Sequence, residues 1–329
     1  MVMDTVILSK EKIANVLVME DVIVSVEEAY KLFSERKVIM PSVLSFEIDK
    51  YHGEIDIKSG YDLVDDIVGV KIASGYANNK QNYGIPNGLA TILLFDVKNG
   101  APIAILEGGL ITDMRTGAAG AVSAKYLANP SSKKVAIVGT GIIARWELEA
   151  LSHVFQLEEV YVWGRNEEKV VQYIEDMHGK IPLTYKAFSD IEQCISEADI
   201  IITTTSSREA LIQQEWVKPG SHIACIGADM PGKKEVDPQL FGRAKVIVDS
   251  IEQCVERGEL QHAIKKGYIQ VSDVVEMGEI ILGETQGRES ANEITIFDST
   301  GLSIQDITTA KKVVSVLKDQ KDNLTANLT

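Results

Sequence analysis

The feature that most constrains this chain is a series of short apolar runs separated by helical stretches: Lys134-Val-Ala-Ile-Val-Gly139, Glu159-Val-Tyr-Val-Trp-Gly164, Ile200-Ile-Ile-Thr-Thr-Thr205, His222-Ile-Ala-Cys-Ile-Gly227 and Lys245-Val-Ile-Val-Asp249. A strand that is apolar on both faces must be covered on both, and helical crossovers supply that cover, so the pattern predicts a doubly wound parallel sheet of the α/β class. The first run leads directly into Gly139-Thr-Gly141-Ile142-Ile143-Ala144, and Arg145 to Leu151 is helical in character. Gly139 permits the sharp turn, Gly141 lets backbone approach a pyrophosphate, and Ala144 lets helix and strand pack closely. A bare GxGxxA is weak evidence. At a strand-to-helix junction inside a βαβ series it predicts a Rossmann dinucleotide-binding domain, the alternative being an ordinary glycine turn.

The rest of the chain reads differently. The runs Val22-Ile-Val-Ser25, Ile55-Asp-Ile-Lys58, Val68 to Ala73 and Ala90 to Asp96, with turn signals at Asn87-Gly88 and Asn99-Gly100, predict a mixed or antiparallel sheet. Ser25 followed by Glu28 reads as the capped start of a helix. The Ala- and Gly-rich segment Thr116 to Leu127 reads as a tightly packed helix leading into the nucleotide domain. A helical pattern from Ile304 to Leu317 returns to the first domain, and the polar stretch from Asp319 to Thr329 is expected to fray. A length of 329 residues suits two domains.

Charge and composition exclude several functions. The formal charge of −15 repels phosphate backbones and anionic lipid surfaces, which argues against nucleic-acid and membrane partners. No signal peptide and no apolar stretch of about 18 to 20 residues is evident, so a soluble, cytoplasmic protein is expected. Cys194, Cys225 and Cys254 form no CxxC pair and the five histidines show no metal spacing, so no metal site is expected.

The tip of the second strand, Trp163-Gly-Arg165-Asn166, lacks the acid that lies about 20 residues beyond the glycines in NAD sites and grips a ribose 2′-hydroxyl. Arg165 there tilts the cofactor from NAD towards NADP, with a solvated loop arginine as the alternative. Thr203, Thr204 and Thr205 suit hydroxyls and amides lining the cofactor. Hydride transfer needs a held substrate and a managed proton, so cations and an acid or base should be near. Lys71 and Arg115 could clamp one carboxylate, or be surface charges. Asp229, just past a strand of the nucleotide domain, stands where doubly wound folds place their sites, or is a turn aspartate.

Lys71, Thr112-Asp-Met-Arg115-Thr116-Gly-Ala-Ala119, the glycine loop, Gly227-Ala-Asp229-Met-Pro-Gly-Lys233 and Gly301-Leu-Ser-Ile-Gln305-Asp306 together resemble the ornithine cyclodeaminase/mu-crystallin family, in the right order over nearly the whole chain. Tyr161 to Arg165, Thr203 to Glu209, Gln214 to Gly220 and Asp249 to Cys254 look most like its ectoine-utilisation and iminosuccinate reductase branch. The resemblance implies a homodimer with a mixed α+β substrate-binding and dimerisation domain (1–115 plus 303–329) and a Rossmann domain (116–302). It also implies that Lys71 and Arg115 bind the substrate carboxylate, that Asp229 serves the reacting nitrogen or water, and that Thr116, Gly139, Gly141, Ile142 and Ile143 hold the cofactor.

One departure bears on substrate. Met40-Pro41-Ser42 stands where the ornithine-cyclising members carry Pro-Arg, and Asp56 stands where they place a Glu. Alternation puts Asp56 and Lys58 on one strand face, where Lys58 could meet a second carboxylate or be a solvated charge. The leading expectation is an NAD(P)H-dependent imino acid reductase, or amino acid dehydrogenase in reverse, on a dicarboxylic imino acid such as iminosuccinate. The rivals are cyclodeamination of ornithine with bound NAD and a non-enzymatic small-ligand binding protein of the mu-crystallin type.

Overall fold

The computed structural model describes residues 4–328. The chain forms two compact units, one running to Arg115 and resuming at Leu302, the other Thr116–Gly301.

In Thr116–Gly301 a parallel sheet of eight strands has the order Thr184–Phe188, Glu159–Trp163, Lys134–Val138, Ile200–Thr203, His222–Cys225, Thr295–Asp298, Lys245–Val248, Val275–Glu276. The five anticipated runs are all present. Their inner residues, among them Val138, Ile201, Ile223 and Val246, are fully or almost fully buried, as expected of strands covered on both faces. Three strands were not anticipated: Val275–Glu276 has only two residues, Thr184–Phe188 is a half-exposed edge without an apolar run, and Thr295–Asp298 is a buried strand of four. Helices run between most strands, and the turns at the strands' carboxyl ends gather at one edge, where ligands bind in open α/β sheets.

The other unit holds a mixed sheet of eight strands. Its path is Leu324–Asn327, Asp4–Leu8, Pro102–Glu107, Gly88–Asp96, Ile67–Tyr76, Gly53–Asp62, Val38–Ile39, with Leu44–Ile48 also pairing on Gly53–Asp62. Among the described residues only Asp4–Leu8 and Pro102–Glu107 pair in parallel. Three expectations need correction. The run Val22 to Ser25 is no strand but part of the helix Met19–Ser34. Met19, Val22, Ile23, Val26, Ala29 and Tyr30 are buried at the three- and four-residue spacing of one helical face, and that longer period overrides a four-residue apolar run. Ser25 is therefore no cap; its hydroxyl donates to the Asp21 carbonyl, 2.9 Å away in the preceding turn. The tail is not frayed throughout, because Leu324–Asn327 pairs antiparallel with Asp4–Leu8 and satisfies an edge that sequence periodicity does not reveal.

The helix Ser303–Leu317 lies on Met19–Ser34 and across Gly53–Asp62 and Ile67–Tyr76. It can approach because Gly60 and Gly69 face each other in register beneath it. A Cβ on Gly69 would lie 2.4 Å from Ile307 Cγ1. Gly69→Val should therefore overpack the contact and cost about 1–3 kcal/mol, read as a lower urea midpoint at unchanged slope. An unchanged midpoint would mean that the helix is not seated there.

Candidate active site

At the end of Lys134–Val138 the chain turns at Gly139, whose φ of +114° belongs to glycine. A Cβ there would meet Thr204 Oγ1 at 2.7 Å, whereas one on Gly141 would meet nothing within 4 Å. The helix Ile142–Val154 follows, with Gly141 at its N-cap, no side-chain cap and no acid in its first turn. Its leading N–H groups are thus available to an anion. Arg145 steadies the loop, donating to the Thr140 carbonyl at 2.7 Å and the Gly141 carbonyl at 3.1 Å.

A cleft of about 610 Å³ opens around this loop, walled by residues 139–141, 163–166, Lys169, 204–207 and Leu211. Arg165 is joined by Lys169, which follows the N-cap Asn166 of the helix Glu167–His178, and no carboxylate is among the walls. Size, glycine loop, open helix end and paired cations fit a dinucleotide phosphate and its adenosine end. Four expected cofactor residues lie elsewhere. Thr203 is fully buried and its hydroxyl donates to Glu235 Oε2 at 2.7 Å, so it backs the wall rather than forming it. Ile142 and Ile143 start the helix outside the walls and can offer only backbone N–H groups. Thr116 is half-buried in Gly109–Leu127 and is not a wall residue either.

The second constellation belongs to the other unit. Register places Lys58 directly opposite Lys71 on neighbouring strands, with Asp56 opposite Ala73 on the same face. Two like charges so placed repel unless an anion joins them. Asp306, from Ser303–Leu317, supplies an anion to Lys71 and Arg115: its Oδ2 lies 2.6 Å from Lys71 Nζ and its Oδ1 3.0 Å from Arg115 Nε. Lys71 Nζ also reaches Thr112 Oγ1 at 3.4 Å, and Arg115 Nη1 reaches Gln305 Oε1 at 3.5 Å. Gln305 is itself fixed, donating to the Tyr30 hydroxyl at 3.0 Å.

Lys71, Arg115 and Asp306 are all buried. Burial, and then the Arg115 charge, push the Lys71 ammonium down to about 7, although Asp306 opposes both. Burial pushes the Asp306 carboxyl up, but Arg115 and Lys71 outweigh it and hold it below the usual carboxylate range. The result is a fixed carboxylate surrounded by more cations than it can neutralise, a setting suited to a substrate carboxylate.

Asp229 stands in the loop after His222–Cys225, half exposed, its Oδ1 2.6 Å from Lys233 Nζ. Arg257 Nε donates to its carbonyl at 3.1 Å, and Gln261 Oε1 accepts from Gly232 N at 2.9 Å. Sequence reasoning assigned Asp306 no role and missed Lys169 and Glu235. A signal for Asp306 existed: Gln305, Asp306, Thr308 and Thr309 crowd polar side chains into the first half of the helix Ser303–Leu317, and all are buried.

Comparison with known proteins shows the family of the chain. The profile of the ornithine cyclodeaminase/mu-crystallin family matches residues 3–321. The iminosuccinate reductase of Paracoccus denitrificans is 34% identical over 312 residues, 95% of this chain and 96% of that protein. Among solved structures, an archaeal alanine dehydrogenase dimer with bound NAD superposes with a TM-score of 0.93 at 35% identity, covering 99% of this chain and 100% of that one. The Delta(1)-pyrroline-2-carboxylate reductase of Thermococcus litoralis, in complex with NADH and L-proline, also gives 0.93, at 33% identity and 97% and 99% coverage. The chain belongs to the ornithine cyclodeaminase/mu-crystallin family.

Proposed function

We propose that this protein reduces an α-imino acid to an amino acid with NAD(P)H, and oxidises the amino acid in reverse. The observation that carries this reading is the buried Lys71–Asp306–Arg115 triad, in a chain that also has a cleft around its glycine loop. When bound, the nicotinamide supplies or accepts the hydride. Arg115 offers a planar fork and Lys71 a point charge to the substrate carboxylate, while Asp306 fixes both. Asp229 keeps the imine nitrogen protonated, because an iminium accepts hydride far more readily than a neutral imine. The relatives support the class of reaction, since they are named for alanine, iminosuccinate and pyrroline-2-carboxylate.

Lys58, in register with Lys71, favours a substrate with a second carboxylate. Arg165 and Lys169 at the cleft, with no acid beside them, favour a 2′-phosphate and therefore NADPH. One panel tests all three points: pyruvate, glyoxylate and oxaloacetate with ammonia, each with NADH and NADPH. Oxaloacetate should be reduced fastest, a preference that Lys58→Ala should abolish, and Arg165→Ala should erase the NADPH preference. Equal rates with pyruvate would remove the role of Lys58, and no turnover with any acid would remove the function. Family membership favours a second reading, cyclodeamination. Proline and ammonia released from L-ornithine without added reductant would establish it.

Lys71 carries a pH signature. Its ammonium, lowered to about 7, is charged below that pH and loses the proton, and its hold on the carboxylate, above it. The kcat/KM for reduction should therefore fall as pH rises through about 7, since this ratio reports groups of the free enzyme. Lys71→Met should flatten that limb and lower kcat/KM about 10- to 100-fold, as for loss of a charged hydrogen bond. A wild-type profile that keeps climbing through the alkaline range would contradict the assignment.

The sheet face opposite Lys71 supports a homodimer. Register puts Leu44, Ile57 and Ile72 in one row and Phe46, Ile55 and Leu89 in the next. Leu44, Phe46, Ile72 and Leu89 are each at least 40% exposed, an apolar surface that water disfavours and a second copy would cover. Light scattering should give twice the chain mass for wild type and the single-chain mass for Phe46→Asp. A monomeric wild type at micromolar concentration would overturn the dimer.

A further inference from the structure

The cofactor cleft and the loop carrying Asp229 share one hidden anchor. Glu235 touches neither the cleft interior nor Asp229 and is fully buried. Its carboxylate nevertheless receives donors from two strand ends. Oε2 accepts from Thr203 Oγ1 at 2.7 Å, where Ile200–Thr203 finishes, and from Gly227 N at 2.9 Å, just past His222–Cys225; Oε1 accepts from Thr205 N. The Glu235 carbonyl extends the same clasp, accepting from Leu211 N at 2.7 Å and Ile212 N at 3.0 Å.

Each tied group has a functional neighbour. Thr205 and Leu211 are walls of the cleft, and Gly227 opens the loop that reaches Asp229 two residues later. The approach is close enough to require glycine: a Cβ on Gly227 would lie 2.3 Å from the Thr205 carbonyl oxygen and 2.5 Å from Glu235 Oε2. Glu235 is steadied from behind, since Glu259 accepts from its backbone N–H and from that of Val236 at 3.3 Å, while Asp298 accepts from Glu259 N at 3.0 Å. A carboxylate can receive all three donors at once. An amide of the same shape has only one accepting oxygen, and its NH₂ would face a donor. Two strand tips that must move together for dinucleotide and Asp229 to meet one substrate are thus held by a single side chain.

We propose that Glu235 is a positioning residue that sets the Thr205–Leu211 wall and the Asp229 loop in one fixed relation. This rests on the reading of the cleft as a dinucleotide site. The test is NADH and NADPH binding by fluorescence, with the split between cofactor KM and kcat, for wild type, Glu235→Gln, Thr203→Val and the double variant. Glu235→Gln should weaken dinucleotide binding and lower kcat, each about tenfold, as small misplacements of reacting groups do. Thr203→Val, which removes one of the three donors outside the cleft, should move both parameters the same way by less. The double variant should be no worse than Glu235→Gln, because the two act through one contact. If Glu235→Gln does not fold, Thr203→Val decides alone. Lowered melting temperature with unchanged dinucleotide affinity and kcat would overturn the proposal and leave Glu235 a fold-stabilising acid only. Wild type that binds neither dinucleotide would overturn the functional reading, and this inference with it.

Discussion

Two cations and one carboxylate share a site almost closed to water: Lys71 is 4% exposed, Arg115 6% and Asp306 1%. Removing such charges from water costs several kcal/mol per ion, and the cost is met only when each finds a partner at close range. Asp306 serves both cations, and Thr112, Gln305 and Tyr30 take further hydrogen bonds around them. Three segments far apart in sequence must therefore converge: the strand Ile67–Tyr76, the helix Gly109–Leu127 and the helix Ser303–Leu317. That requirement gives a physical reason for the chain to leave the first unit at Arg115 and return to it at Leu302. Gly60 and Gly69 are the corresponding concession in the sheet, leaving room for the helix that brings Asp306.

The Thr116–Gly301 unit solves the opposite problem. The central strands of its sheet are mostly apolar, and its buried acids gather at the turns of the strand ends, where backbone N–H groups can face a ligand or a carboxylate. Asp249 receives Ser250, Thr300 and Gly301 N–H groups, Asp298 those of Glu259 and Leu260, and Glu235 those of Thr205 and Gly227. Acids thus organise the turns, while the open end of Ile142–Val154 carries no acid and stays available to a phosphate. His222, enclosed between Ser123 and Thr295 and driven down to about 3 by burial, is a neutral core residue with no part in this chemistry.

Some of this was legible in the residues. The glycine loop and the apolar runs declared themselves because a both-face-buried strand and a sharp turn admit few residue types. The Asp56 and Lys58 alternation was equally plain, because strand period is local. Other features were not. Val22 to Ser25 has the composition of a strand, and only a window reaching back to Met19 exposes the helical period. Leu324–Asn327 is polar, and its pairing with Asp4–Leu8 depends on an edge contributed by the other end of the chain. Thr203 looked like a cofactor ligand because it shares a Thr triplet with Thr204 and Thr205, but strand alternation turns its hydroxyl towards Glu235.

What the sequence determined by itself was therefore everything set by short-range periodicity and by single-residue stereochemistry: the parallel sheet, the sharp glycine turn at Gly139, and the family to which both belong. Tertiary structure alone decided which charges meet. No spacing relates Lys71, Arg115 and Asp306, or Glu235 to Thr203 and Gly227, because electrostatic pairing in a buried site depends on distance through space, and the chain separating these partners carries no record of that distance.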